Sequence, residues 1–158
     1  MTSIAKATSF LAMLIPSAEV LAQVGSSEPV QFCPILQRIA GLAAGQHRFQ
    51  SITGKPREGE YSDATLSLPG WRGCSLYGLR TYTCDSSALP TAQKARDHQR
   101  QVLNEISACL GGDWAEDRNR STSVYVILHQ RSGRASITLS TDLIEHDQHV
   151  VRFILFLR

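Results

Sequence analysis

The sequence predicts an α+β fold, with an antiparallel sheet of about five to six strands and two helices packed on one face. Three observations carry this. Residues from Pro34 to Ala44 and from Thr91 to Leu110 place apolar side chains at helical spacing. Several shorter stretches alternate apolar and polar residues, as half-buried strands do. The order is helix, strands, helix, strands, which favours antiparallel strands over the strict alternation of a parallel sheet.

Ahead of these elements the chain reads as an export signal. Lys6 gives the positive start, Ala7 to Ile15 is a short apolar stretch, and Pro16 breaks any helix there. Val20-Leu21-Ala22 fits a small-residue cleavage site, so residues 1–22 form the expected signal peptide and the mature domain spans 23–158. The apolar stretch falls short of the roughly 20 residues that cross a bilayer. No integral membrane segment is expected after cleavage, and the expected location is periplasmic or secreted.

The mature domain opens on a flexible lead-in over Gln23 to Glu28. In the first helix, Pro34 suits the first turn, Ile35, Ile39 and Leu42 share a face, and Gly45 can end it. Phe49 and Ile52 form a bridge, and Gly54 to Gly59 reads as a loop. Ala64, Leu66 and Leu68 alternate with polar neighbours as a strand, and Pro69-Gly70 makes a turn. Cys74 to Tyr77 and Thr81 to Cys84 flank a tight loop centred on Leu79. Thr91 caps the second helix, whose apolar face runs through Ala95, Val102, Ile106 and Cys109, and Gly111-Gly112 ends it. Three strands follow, Val124 to His129, a one-sided strand from Ala135 to Ser140, and Val150 to Leu157, nearly all apolar and interrupted by Arg152. A strand apolar on both faces is central or covered twice; alternatively its Val150, Ile154 and Phe156 face packs on a second copy, giving a homo-oligomer. No internal repeat, low-complexity tract or second domain is visible in the sequence.

The chain has four cysteines, an even number that in an exported protein suggests a disulfide framework. Leu79 lies midway between Cys74 and Cys84, so a three-residue loop sets those two opposite each other, within bridging reach. Antiparallel helices on one sheet face bring Cys33, at the start of the first, to Cys109, at the end of the second. The favoured pairs are therefore Cys33–Cys109 and Cys74–Cys84, with Cys74–Cys109 as the main rival. There is no CxxC to suggest redox or zinc chemistry.

Composition and motifs narrow the function classes. The net charge of +2 gives no footprint for nucleic acid, and removing Lys6 and Glu19 with the signal leaves it unchanged. No nucleophile elbow, HExxH, P-loop or dinucleotide-binding glycine motif occurs, so no cofactor and no resident metal are expected. The densest set of metal-ligand types, Asp142, Glu145, His146, Asp147 and His149, reads as a solvated loop between strands. His98 and His129 read as structural, since bridged cysteines leave no thiolate for them to activate. The best candidate surface is Trp71 and Arg72 after the Pro69-Gly70 turn, with Tyr77, Arg80 and Tyr82 on the neighbouring hairpin. Aromatic residues and Arg dominate binding hot spots; in the competing reading Trp71 covers the core edge and the tyrosines pack across strands.

Taken together, Cys33, Phe49-x-x-Ile52-x-Gly54, Leu68-Pro69-Gly70-Trp71 with Cys74, Tyr82-x-Cys84, Cys109-Leu110 and Trp114 resemble a group of small exported proteobacterial proteins without assigned function. The resemblance implies a periplasmic, disulfide-containing domain and no catalytic residue. The expected function is a small binding module for a protein or an envelope component. The alternatives are an envelope assembly factor, or an envelope-polymer hydrolase using Asp63 or Glu60 with a nearby histidine. Intact-mass measurement of the exported form is expected to find a chain starting at Gln23; retention of residues 1–22 would refute the signal reading.

Overall fold

A strand with one apolar face must bury that face, and here two helices supply the cover. The computed structural model describes residues 31–144 and 147–157. The expected signal, its cleavage site, the lead-in, Glu145 and His146 lie outside the described residues. Helix α1 (Phe32–Ala44) leads through a 3₁₀ turn at Gln50–Ile52 into β1 (Thr53–Pro56), β2 (Tyr61–Ala64), β3 (Arg72–Tyr77) and β4 (Thr81–Asp85). Helix α2 (Ala92–Leu110) leads through a second 3₁₀ turn at Gly111–Asp113 into β5 (Trp114–Glu116), β6 (Tyr125–Gln130), β7 (Ala135–Leu143) and β8 (His149–Leu157).

The described strands form one antiparallel sheet of eight, in the order β1-β2-β3-β4-β8-β7-β6-β5. The expectation of five to six strands is corrected by the two outermost. β1 contains Gly54 and Pro56, which argue against a strand in sequence, and β5 has only three residues. The strand expected over Ala64 to Leu68 is displaced to Tyr61–Ala64. Leu68 is still buried, but the backbone has left the ladder there, and the Leu66 carbonyl accepts a hydrogen bond from the Tyr82 hydroxyl instead. A proline at one edge and a minimal strand at the other leave little template for edge-to-edge pairing.

The element order shows a repeat that the residues do not. Each half is a helix, a 3₁₀ turn and four strands in sequence, and the two halves meet through their fourth strands. The register there runs Thr81↔Phe156, Thr83↔Ile154 and Asp85↔Arg152. The apolar last strand is therefore central, flanked by β4 and β7.

Alternation then divides the sheet into two faces. Tyr82 and Cys84 of β4, Val151, Phe153 and Leu155 of β8, and Ile137 and Leu139 of β7 point to the helix side and are buried. Leu36, Ile39, Ala40 and Ala43 of α1, and Ala95, Val102 and Ile106 of α2, close over them. Full burial of each large apolar side chain contributes about 1.5–3 kcal/mol. Gln99 is the buried polar member of the α2 stripe, and its amide donates to the Leu139 carbonyl at 2.7 Å. Thr91 caps α2 by accepting from the Lys94 amide at 3.2 Å, and Gly111 ends it at φ 66°, in the left-handed region that suits glycine.

Two disulfides link the elements, Cys33–Cys109 with Cα atoms 5.0 Å apart and Cys74–Cys84 at 4.2 Å. They are the two pairs favoured from helix and hairpin geometry. The first joins the start of α1 to the end of α2, where Gln37 also donates to the Cys109 carbonyl at 2.7 Å. The second spans adjacent strands beside a register shift at Gly73-Cys74, with Gly73 at φ 58°. At the far edge, Asp113 accepts from the Ser132 hydroxyl at 2.6 Å and the Gln130 amide at 3.0 Å. These donors, led by Ser132, hold its carboxyl below the ordinary value and fix the β6–β7 turn beside β5.

Loop closure sets the expected weight of each bridge. Replacing both cysteines of the 76-residue separation with alanine should cost about 4–5 kcal/mol, and those of the 10-residue separation about 3 kcal/mol. Urea unfolding of the two double variants measures this, and equal losses would show that loop closure is not what the bridges contribute.

Candidate functional site

The helix-free face carries the other half of each alternation. The β3–β4 hairpin closes on Tyr77↔Thr81, a three-residue loop of Gly78, Leu79 and Arg80 with Gly78 at φ 53°. On the other side of β3, Tyr61 of β2 lies directly opposite Tyr77. Their rings are 5.0 Å apart at a 50° tilt, and they remain 47% and 45% exposed. Next inward come Ser75, Thr81, Thr83 and Asp85, then Arg152, Ile154 and Phe156 of β8.

Fixed charges sit along this face. Arg152 donates to both oxygens of Asp85, at 2.7 and 3.3 Å, and reaches Asp142 at 3.0 Å. The planar guanidinium suits such forked contacts, and Asp85 is the main cause that raises the Arg152 pKa. Arg57 pairs with Asp63 nearer the β1 edge. A groove of about 510 Å³ runs over this surface between Tyr61, Tyr77 and Arg152. It continues past Tyr77, Thr81 and Ile154 into a pocket of about 620 Å³ at the hairpin end, lined also by Arg48, Glu60, Leu79, Arg80, Phe156 and Leu157. Both volumes are in the range of small-molecule sites.

The candidate residues read from sequence do not all meet here. Tyr77 and Arg80 line the pocket. Arg72 is exposed at the start of β3, in register with Asp85. Trp71 is half-buried against the core, edge-on to Phe153 at 6.0 Å and 6.4 Å from His98. Tyr82 is 0% exposed, its ring packed on Phe49 and Phe153 at 6.0 and 6.3 Å. Burial raises its pKa, and its oxygen lies 3.0 Å from the bridged Cys84 sulfur, which carries no proton to donate. Tyr82 is thus a core residue and leaves the list of surface residues. Sequence reasoning missed Tyr61, Thr83, Asp85 and Arg152. Their signal was alternation: with Tyr82 and Cys84 inward, Thr81, Thr83 and Asp85 must face outward.

The side chains offered for catalysis are otherwise engaged. Asp63 is held by Arg57, and Glu60 neighbours the Tyr77 phenol, whose pKa it raises. Among the described residues no histidine lines the groove. Elsewhere on this face His129 lies 2.9 Å from both Ser136 Oγ and Asp117 Oδ2, a serine–histidine–aspartate chain. Ser136 is 0% exposed, so no substrate carbonyl reaches its oxygen, and the chain ties β6 to β7 and to the segment after β5. Asp142 is taken by Arg152, and the described residues contain no cluster of three or more metal-ligating side chains. No protein-family model matches the chain, and neither a curated protein nor a solved structure gives a significant match.

The proximity of Glu60 to Tyr77 can be checked by titration. Glu60 raises the Tyr77 pKa above 10.0, first by its hydrogen bond and then by its charge. Folding therefore favours the neutral phenol; this contribution is present below pH 10.0 and is lost as pH rises through the folded value. Absorbance titration, with Tyr77→Phe used to isolate the Tyr77 signal, should show ionisation above pH 10.0 that moves back towards it in Glu60→Gln. An unmoved midpoint would break the pair.

Proposed function

We propose that this protein is an exported binding module that engages a protein or an envelope component through the helix-free face of its sheet. The observation that carries the reading is the exposed Tyr61–Tyr77 pair beside a rigid Asp85–Arg152–Asp142 array. Tyrosine brings large, stiff contact area with a polar tip, and arginine held in place has little freedom left to lose on binding. The two disulfides support an oxidising compartment, and among the described residues no helix is long and apolar enough to cross a membrane. The expected export signal and the resemblance to small exported proteins point the same way. The face is formed from both halves of the sheet, so a bound partner rests on a surface that the fold itself keeps rigid.

The hydrolase alternative finds no support in the groove, because Asp63 is paired with Arg57 and no histidine among the described residues lines it beside Glu60. The assembly-factor alternative uses the same face and differs only in what occupies it.

Affinity capture with the native, oxidised protein as bait, read by mass spectrometry, tests the proposal. A stoichiometric partner should be retained by the wild type and by Arg100→Ala on the exposed side of α2. It should be reduced roughly tenfold or more by Tyr61→Ala/Tyr77→Ala, as for hot-spot aromatics. Retention unchanged in the tyrosine variant would move the interface off this face.

A further inference from the structure

The pocket at the hairpin end has a composition unlike the rest of the open face. Its walls are apolar, with Ile154 and Phe156 of β8 half-buried, Leu157 at the strand end and Leu79 exposed on the turn. Two arginines stand around these walls, Arg48 from the segment after α1 and Arg80 from the β3–β4 turn. Neither forms an ion pair among the described residues, in contrast to Arg57, Arg100 and Arg152. Among the described residues one carboxylate lines the pocket, Glu60, which neighbours the Tyr77 phenol and raises its pKa. The described lining residues therefore carry a net charge of positive one, two arginines against one carboxylate.

Arg48 adds an independent sign. Its φ of 48° lies in the left-handed region, where a side chain with a Cβ is strained and glycine is at ease. An arginine held there runs against local backbone preference, and such strain concentrates where a side chain has work to do. Its amide donates to the Gly45 carbonyl at 3.3 Å, which ties this conformation to the end of α1. Arg80 is likewise held by its backbone, since its carbonyl accepts from the Leu157 amide at 3.2 Å. Two arginines from separate elements thus line one largely apolar pocket, both on anchored backbone.

We infer that this pocket binds a single-chain anionic amphiphile, an alkyl or acyl chain ending in a phosphate or carboxylate, with the anion on Arg48 and Arg80 and the chain over Phe156 and Ile154. Guanidinium forks match both headgroups, and desolvation beside the apolar floor strengthens each contact. A volume of about 620 Å³ accommodates a chain of ordinary length. The assignment rests on the binding-module reading and names a ligand class for one end of that face.

The test titrates the oxidised protein with dodecyl phosphate and with dodecanoate below their micelle-forming concentrations. Inorganic phosphate and the neutral dodecyl maltoside serve as controls. Calorimetry gives affinity, and amide shifts at Gly78 and Leu79 report location. At least one anionic amphiphile should bind saturably and move those amides, and the choice between the two identifies the headgroup. Arg80→Gln and Arg48→Gly should each weaken binding roughly tenfold to a hundredfold, as for a lost charge-assisted contact. Arg48→Gly should keep or raise the melting temperature, because it relieves the left-handed strain, so its loss of binding is not a loss of fold. Equal binding of the maltoside, equal binding of inorganic phosphate, or unchanged affinity in both variants would overturn the inference. If no amphiphile binds while affinity capture still retains a partner, the ligand class falls and the binding module stands; if neither occurs, both fall.

Discussion

Everything in this fold depends on the pairing of β4 with β8. Each half supplies four strands in sequence, and four twisted strands with one helix make a thin, half-covered layer. Joining the halves at their fourth strands turns two small sheets into one and puts the best-packed side chains at the seam. Tyr82 and Phe153 lie on those two strands, with ring centroids 6.3 Å apart, under both helices. The Tyr82 hydroxyl then reaches the Leu66 carbonyl and satisfies a group on a segment that has left the ladder. Apolar burial, strand pairing and polar satisfaction meet at this residue, which is why it serves the core and not the surface.

The same seam organises the outer face. Because β4 and β8 run antiparallel, their outward residues align as Thr81 with Phe156, Thr83 with Ile154 and Asp85 with Arg152. Moving along the seam therefore passes from an apolar end, beside Arg48 and Arg80, to an ion-paired end at Asp85, Arg152 and Asp142. That gradient follows from register: a one-residue slip would turn Arg152 into the core and Phe153 into solvent. Burying the Tyr82–Phe153 pair thus also sets which charges appear outside. A rigid charge array is a consequence of core packing, with no separate device required to hold it.

Much of this was legible in the sequence where local chemistry is strong. Helix α2 was readable because Thr91 caps it, Gly111 stops it, and Ala95, Val102, Ile106 and Cys109 keep one face. The hairpin register was readable because Leu79 bisects the Cys74–Cys84 interval, which the pairing Tyr77↔Thr81 matches. What stayed hidden was long-range. β1 and β5 are strands because neighbours hydrogen-bond to them, and Gly54, Pro56 and a three-residue segment carry little propensity of their own. The repeat of the two halves was hidden because it exists in order and pairing, while the second half carries longer strands and a different set of loops. The candidate site was half legible: Tyr77 and Arg80 share a hairpin, but Tyr61 and Arg152 join them only through the sheet, and Arg48 only through the packing of the segment after α1.

The serine–histidine–aspartate chain shows why geometry has to be weighed with access. Ser136, His129 and Asp117 satisfy the distances that nucleophilic catalysis asks for, at 2.9 Å on each side of the imidazole. The requirement they miss is a place for the reacting atom, since Ser136 is sealed within the sheet. A buried hydroxyl needs a partner or it costs free energy, and His129, itself held by Asp117, is that partner. The constellation is one way in which a buried polar position inside a sheet is kept satisfied. On the exposed side of the seam the logic reverses: Tyr61 and Tyr77 keep nearly half of their surface in water. Apolar area left exposed beside an arginine already held by two carboxylates gives up its hydration most cheaply when something covers it.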